Sequence, residues 1–170
     1  MTVRLALVIA VAFIGCKPET ARQSDRAADN VRQLRTDVRR AARMAPTRAL
    51  VETAELTAAE QTFIEQKRIR IAALRGEVSV IGTQLALIGL FAEHAKITDA
   101  SRADINNHLT AFKVTLDIAR NQIEGLALTG ADAWNERDDA VREAMNALES
   151  ARKAAWRALE DAPRIDPRAS

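Results

Sequence analysis

The 170 residues of the chain are enough for one domain with a sizeable core. Apolar residues make up 48% of the sequence and aromatic residues only 4%, so alanine and leucine must supply most of the packing. The formal net charge of +2 at pH 7 is not that of a polycation and argues against a nucleic-acid partner.

The first sixteen residues have the layout of a cleaved export signal. Arg4 precedes an uninterrupted apolar run, residues 5–14, which is followed by Gly15 and Cys16. Ten residues span about 15 Å as a helix, roughly half the hydrocarbon thickness of a bilayer, which is too short for a transmembrane anchor. We therefore predict that residues 1–15 are a signal peptide. Cys16 is the only cysteine and cannot form an internal disulfide.

The run Phe13-Ile14-Gly15-Cys16 resembles the lipobox of bacterial lipoproteins, with Phe13 where that family usually has Leu. The resemblance implies that Cys16 is the lipid-attachment residue. Apart from this covalent lipid, we expect no cofactor. Two or three acyl chains hold a protein firmly on a membrane. Lys17 rather than Asp follows the cysteine, which in enteric-type bacteria implies the outer membrane, facing the periplasm, rather than the inner membrane. Residues 16–24 would be the lipidated N-terminus and tether.

Apolar residues at helical spacing predict three helices, at about 20–44, 57–96 and 101–161. Pro46 should end the first helix, because the residue before a proline avoids helical backbone angles. Residues 163–170 hold two prolines and predict a disordered tail.

The second helix is predicted from a capping box and a heptad repeat. Thr57 and Glu60 have the spacing of a capping box, which marks a helix start. The apolar seam that follows is interrupted by Lys67. It consists of Ile64, Ile71, Leu74, Val78, Ile81, Leu85, Ile88, Ala92 and Ala95.

The third helix is predicted as one long element. A step of seven residues from Leu109 to Ala151 passes through Gly130 without a break, and a glycine inside a helix costs only about 1 kcal/mol relative to alanine. The alternative is two helices divided at Thr129 and Gly130. The predicted fold class is all-α: an elongated antiparallel three-helix bundle, residues 25–162, with coiled-coil-like packing, preceded by the cleaved signal peptide.

Charge is distributed unevenly along the mature chain. Residues 17–50 carry nine basic and four acidic side chains, whereas residues 131–163 carry five basic and eight acidic ones. One interpretation is a basic strip that is attracted to anionic head groups. The other is that the arginines of this first helix, from Arg32 to Arg43, are solvated or paired with the acidic end of the third helix.

The two histidines of the chain lie close together in the sequence. His94 and His108, with Glu93 and Asp104, flank the predicted turn between the second and third helices, and imidazole and carboxylate groups are ligands for zinc, copper or nickel. These four residues are weak metal candidates, and the alternative is that they are solvated side chains at a polar turn.

One further segment resembles a known motif. The stretch from Leu56 to Gln61 resembles the Leu-Thr-x-x-Gln motif of small helical periplasmic stress proteins and chaperones related to Spy and CpxP, with Glu60 at the place of Gln.

The leading hypothesis is a non-enzymatic envelope lipoprotein without catalytic residues, anchored in the membrane by its lipid. It would act by contact with an unknown envelope protein as a structural, adaptor or accessory component. The alternative is a periplasmic metal-binding, sensing or chaperone-like protein.

Overall fold

The computed structural model describes residues 18–165, and within that range the chain is all-α, as predicted. A short 3-10 turn, Ala131–Ala133, precedes the last helix. The four helices are α1 (Glu19–Met44), α2 (Pro46–His94), α3 (Asp99–Ala127) and α4 (Trp134–Asp161). The count of three helices predicted from the sequence is therefore wrong.

The connection between α1 and α2 is a single residue. Ala45 has extended backbone angles, and the prediction that Pro46 ends the first helix is confirmed. The predicted start of the second helix at 57 is wrong, because Pro46 occupies the first position of α2, where its missing N–H is not needed. The Thr57 hydroxyl donates to the carbonyl of Thr53 (3.0 Å) inside the continuous helix and caps nothing.

The turn between α2 and α3 lies close to its predicted place. α2 ends at His94 and α3 begins at Asp99, each two residues before the predicted boundary. The Thr98 hydroxyl accepts a hydrogen bond from the amide of Ser101 (3.2 Å) and so caps α3. Within the predicted tail, the amide of Ile165 donates to the carbonyl of Lys96 (2.8 Å), and residues 166–170 lie outside the described part of the chain.

The single long helix predicted for residues 101–161 is divided between α3 and α4 at residues 128–130, so the alternative was correct. Two cationic side chains donate hydrogen bonds to carbonyl groups at the break. The Lys67 ammonium donates to the carbonyl of Thr129 and the Arg32 guanidinium to that of Ala131, each at 2.7 Å. The seven-residue spacing could not reveal the break, because both helices present their apolar faces to the same core.

α2 is the spine of the molecule and is about 73 Å long at 1.5 Å per residue. α3 runs in the opposite direction to α2, because Arg102 donates to the carbonyl of Ala95 (3.2 Å) near one end and Arg75 pairs with Glu124 (2.7 Å) further along. α4 runs in the same direction as α2. The contacts that show this are Arg70 with Asp138 and Gln84 with Arg152.

α1 packs on the first half of α2 and reaches the start of α4. Arg35 pairs with Glu60 of α2 (3.0 Å) and with Asp132 of the 3-10 turn (2.9 Å). These contacts place the middle of α1 beside the 3-10 turn that precedes α4. The first turns of α1, the end of α3 and the first turns of α4 all pack against α2 near Arg70, in the middle of this elongated rod, and we call this region the junction.

The core contains most of the predicted seam. Ile71, Leu74, Val78, Ile88 and Ala92 are buried, whereas Ile81 and Leu85 are partly buried against them. The prediction for Ile64 is wrong, since its side chain is 63% exposed and the preceding residue, Phe63, is buried instead.

Candidate functional site

The predicted lipid-attachment residue, Cys16, lies outside the described residues. α1 begins at Glu19, so the predicted tether of residues 16–24 is too long. Ala21 and Ser24 are buried in the first turns of α1. Only Lys17 and Pro18 separate the cysteine from the folded rod.

A surface of α2, which we name the outer face, carries large apolar side chains in contact with solvent. Residues 78–92 contain no charged side chain. The members of the outer face are Val80, Leu87, Leu90 and Phe91, which are 56%, 42%, 53% and 53% exposed. Spacings of three, four and seven residues place them on one side of the helix. Monomeric soluble proteins rarely leave a large apolar patch without a function.

Within residues 18–165, α2 is the one helix that is long and apolar enough to cross a membrane, by length and composition alone. The core helix of a soluble protein passes the same test, but such a helix is mostly buried, and only 22% of the most apolar window of α2 is buried. One edge of the outer face touches α4, where the rings of Phe91 and Trp156 lie 6.2 Å apart. The rest of the face is not covered by the described part of the chain.

A buried ion pair joins α2 to α4 at the junction of the four helices. The Arg70 Nε donates to Asp138 Oδ1 (2.9 Å), and the two side chains are 2% and 0% exposed. The Arg70 Nη1, the Asp138 Oδ2 and the indole N–H of Trp134 have no hydrogen-bond partner within the described residues. Neither residue of this pair was predicted as a site from the sequence.

Lys67, the predicted interruption of the apolar seam, serves the same junction. Its ammonium group lies 6.0 Å from the ring centre of Trp134 and donates to the Thr129 carbonyl. Burial lowers the pKa of Lys67 below its ordinary value. Trp134 is completely buried and packs edge-on against Phe63, with 5.4 Å between the ring centres.

Glu77 follows on the same helix, two turns beyond Arg70. Burial raises the pKa of Glu77, because the low-polarity surroundings disfavour its charged form, and the positive charge of Arg70 acts in the opposite direction. The junction thus combines one fully buried ion pair, which protein contacts must stabilise in place of water, with two partly buried charged groups, Lys67 and Glu77.

The metal candidates predicted from the sequence are not gathered into one cluster. Asp104 and His108 are one helical turn apart on α3, with 4.0 Å between their nearest oxygen and nitrogen atoms, and they line a cavity of about 400 Å³. The Nδ1 of His94 lies instead 2.9 Å from the carbonyl of Leu90, and Glu93 is exposed on α2. Residues 18–165 contain no group of three or more potential metal ligands.

Some arginines of α1 form hydrogen bonds or ion pairs with other elements, and others are exposed to solvent. Arg32 and Arg35 contact the turn that begins α4, as one of the two sequence interpretations proposed. Arg39, Arg40 and Arg43 are exposed, and Arg40 has only a long contact of 3.5 Å with Asp37. Part of the basic strip is therefore structural and part remains at the surface.

Comparison with known proteins adds no identity to this geometry. No family model, no curated protein and no solved structure matches the chain.

Proposed function

We propose that this chain is a lipid-anchored protein of the bacterial envelope, attached through Cys16 to the outer membrane and facing the periplasm. It acts by contact with another envelope protein, as a structural, adaptor or accessory component, and performs no catalysis. The observation that carries the proposal is the run of apolar residues 5–14 that ends in Gly15 and Cys16.

The helical architecture supports a function in contact rather than in chemistry. A ligand site usually has a concave pocket with a few converging polar groups. At the centre of this rod, the buried side chains of Arg70 and Asp138 are instead paired with each other. We include in the proposal that the helices pack in a coiled-coil-like, elongated arrangement. Neighbours α2 and α3 run antiparallel, and the outer surface is available to a partner.

The position of α1 is consistent with an anchor directly before the fold. Glu19 starts the helix three residues after Cys16. Two or three acyl chains anchor a protein without help from the polypeptide, so no membrane-spanning segment is needed.

The anchor is tested by expressing the full chain in a bacterium and measuring the intact mass of the mature protein. We expect a chain that begins at Cys16, carries acyl chains and partitions into detergent. Cys16→Ser should abolish acylation and membrane partitioning. Phe13→Leu, which makes the run more like a typical lipobox, should preserve both and is the matched control. An unmodified chain beginning at another residue would end the proposal.

The contact function is tested separately by cross-linking in intact cells. A partner that is cross-linked to the acylated chain, and not to Cys16→Ser expressed at the same level, is the expected result. Equal cross-linking of all abundant envelope proteins to both chains would contradict a specific contact.

A further inference from the structure

The point at which the anchored segment joins the rod can be located along α2. The single-residue connection at Ala45 and the ion pair of Arg35 with Glu60 show that α1 runs back along α2. Each residue towards the start of α1 corresponds to one residue forward on α2. Glu19 therefore lies beside residues 71–76 of α2, close to the middle of the rod.

Both ends of the rod are far from this point. From residue 76, α2 continues for about 27 Å to His94 and extends about 45 Å back to Pro46, at 1.5 Å per residue. The three residue steps from Cys16 to Glu19 span at most about 10 Å even when fully extended. If the acyl chains of Cys16 are inserted in a membrane, neither end of the rod can therefore be the part that contacts that membrane.

An upright rod anchored at its middle would push one of its halves into the bilayer. One half carries α3 and α4, whose exposed charged side chains include Asp117, Arg120, Asp139 and Lys153. Burying such groups in hydrocarbon is strongly unfavourable. With an anchor at Cys16, the rod must lie along the membrane surface.

The outer face begins where α1 ends. Beyond residue 76, α1 no longer accompanies α2, and the uncharged stretch 78–92 continues for about 21 Å with Val80, Leu87, Leu90 and Phe91 exposed. The opposite side of this part of α2 is covered by α3 and α4, so the outer face is the side that is free to meet another surface. Apolar side chains presented to a bilayer lie at the boundary between head groups and acyl chains.

We infer that the outer face of α2 is a membrane-contact surface whose partner is the phospholipid bilayer, and that the anchored rod lies flat with this face against the lipid. The inference rests on the proposed anchor at Cys16, because the short distance from Cys16 to α1 fixes the orientation. The acyl chains hold the middle of the rod at the membrane, and the outer face determines which side of the rod faces it.

The test places a lipid-sensitive fluorescent label at Leu87→Cys or Leu90→Cys in the full acylated chain. Acylation of Cys16 leaves the introduced cysteine as the only free thiol. The matched control is Asn107→Cys, an exposed position of α3. The acylated proteins are inserted into phosphatidylethanolamine and phosphatidylglycerol vesicles that contain a spin-labelled lipid quencher. We expect quenching several-fold stronger at Leu87 and Leu90 than at Asn107, with unchanged circular dichroism.

Other results would overturn the inference in distinguishable ways. If the labelled proteins remain with the vesicles but all three positions are equally unquenched, the anchor is retained and the flat orientation is wrong. If the Leu87 label is protected from lipid and is quenched instead by labels on other copies, the outer face is an interface between copies. If the chain is not acylated and does not remain with vesicles, the proposed function itself fails.

Discussion

Breaking the buried ion pair should destabilise the rod more than any surface substitution. Asp138→Leu would leave the Arg70 guanidinium 2% exposed and without its acceptor. Removing one partner of a buried pair typically costs about 3–5 kcal/mol, a large part of the total stability of about 5–15 kcal/mol of a domain. For a domain of this size, each kcal/mol corresponds to about 2–4 °C, so we expect the melting temperature to fall by roughly 6–20 °C.

The double variant separates the interaction from the burial cost. In Arg70→Met with Asp138→Leu, neither member of the pair remains as an unpaired buried charge, and such replacements are often neutral or stabilising by about 1–4 kcal/mol. The case is favourable here because Arg70 Nη1 and Asp138 Oδ2 already lack a partner within the described residues. Thermal and urea unfolding, followed by the helical circular dichroism signal, would measure Asp138→Leu, Arg70→Met and the double variant.

An exposed pair provides the control for this reasoning. Arg75 and Glu124 form two hydrogen bonds of 3.0 and 2.7 Å, but their side chains are 54% and 61% exposed. Because water screens this pair, Glu124→Ala should scarcely move the melting temperature. The reasoning is refuted if Asp138→Leu is as mild as Glu124→Ala, or if the double variant is as unstable as the sum of its two single variants.

Three further predictions concern the seam, the junction and the turn between α2 and α3. Leu74→Ala, at a buried seam position, should cost about 2–5 kcal/mol in urea unfolding, whereas exposed Ile64→Ala should behave as a surface change; equal costs would mean that the seam is misplaced. Burial raises the pKa of Glu77 above its ordinary value of 4.5. The contribution of the protonated carboxyl group to the free energy of unfolding is therefore present below pH 4.5 and is lost as pH rises through the folded-state pKa. Glu77→Gln should therefore gain melting temperature relative to the parent chain at neutral pH, and the gain should shrink below pH 4.5; a gain that did not depend on pH would contradict this assignment. Zinc should raise the melting temperature of neither the parent chain nor His108→Ala, because Asp104 and His108 provide only two ligands; a rise that His108→Ala abolishes would establish a metal site.

Helical periodicity was sufficient to predict the all-α class and most of the core, and Pro46 was sufficient to predict the end of α1. It worked for Ile71, Leu74 and Val78 because their spacing brings them to the side of α2 that packs in the core. It failed at Ile64, where the neighbouring Phe63 turns inward to meet Trp134. A tertiary contact therefore decided which of two adjacent apolar residues is buried.

The break after α3 was not predictable from the same pattern. Its stability depends on side chains distant in sequence, since Lys67 and Arg32 bind the carbonyl groups of Thr129 and Ala131. The prediction of where α2 starts was wrong for a related reason. A capping-box pattern at Thr57 is also compatible with the middle of a helix, where the hydroxyl bonds to the preceding turn.

Helical periodicity gives a weak indication of the buried pair in the sequence. Arg70 lies seven residues after Phe63 and four before Leu74, which places it on the buried side of α2. A lone charge at such a position predicts a buried partner, because an unpaired charge in a core is too costly. The identity of the partner, Asp138, required the direction of α4, which the sequence analysis did not provide because it treated α3 and α4 as one helix.

The junction and the proposed anchor lie at the same level along the rod. By the register of α1 against α2, the buried residues Ala21 and Ser24 lie beside the part of α2 that contains Arg70. Cys16 precedes these residues by only a few positions, so the proposed anchor joins the rod beside the junction. The pair of Arg70 and Asp138 joins α2 to α4 at this level, whereas the outer face lies further along α2 itself. Under the proposed function, the position of the outer face relative to the anchor is therefore set by the packing of α1 on α2 and not by the ion pair.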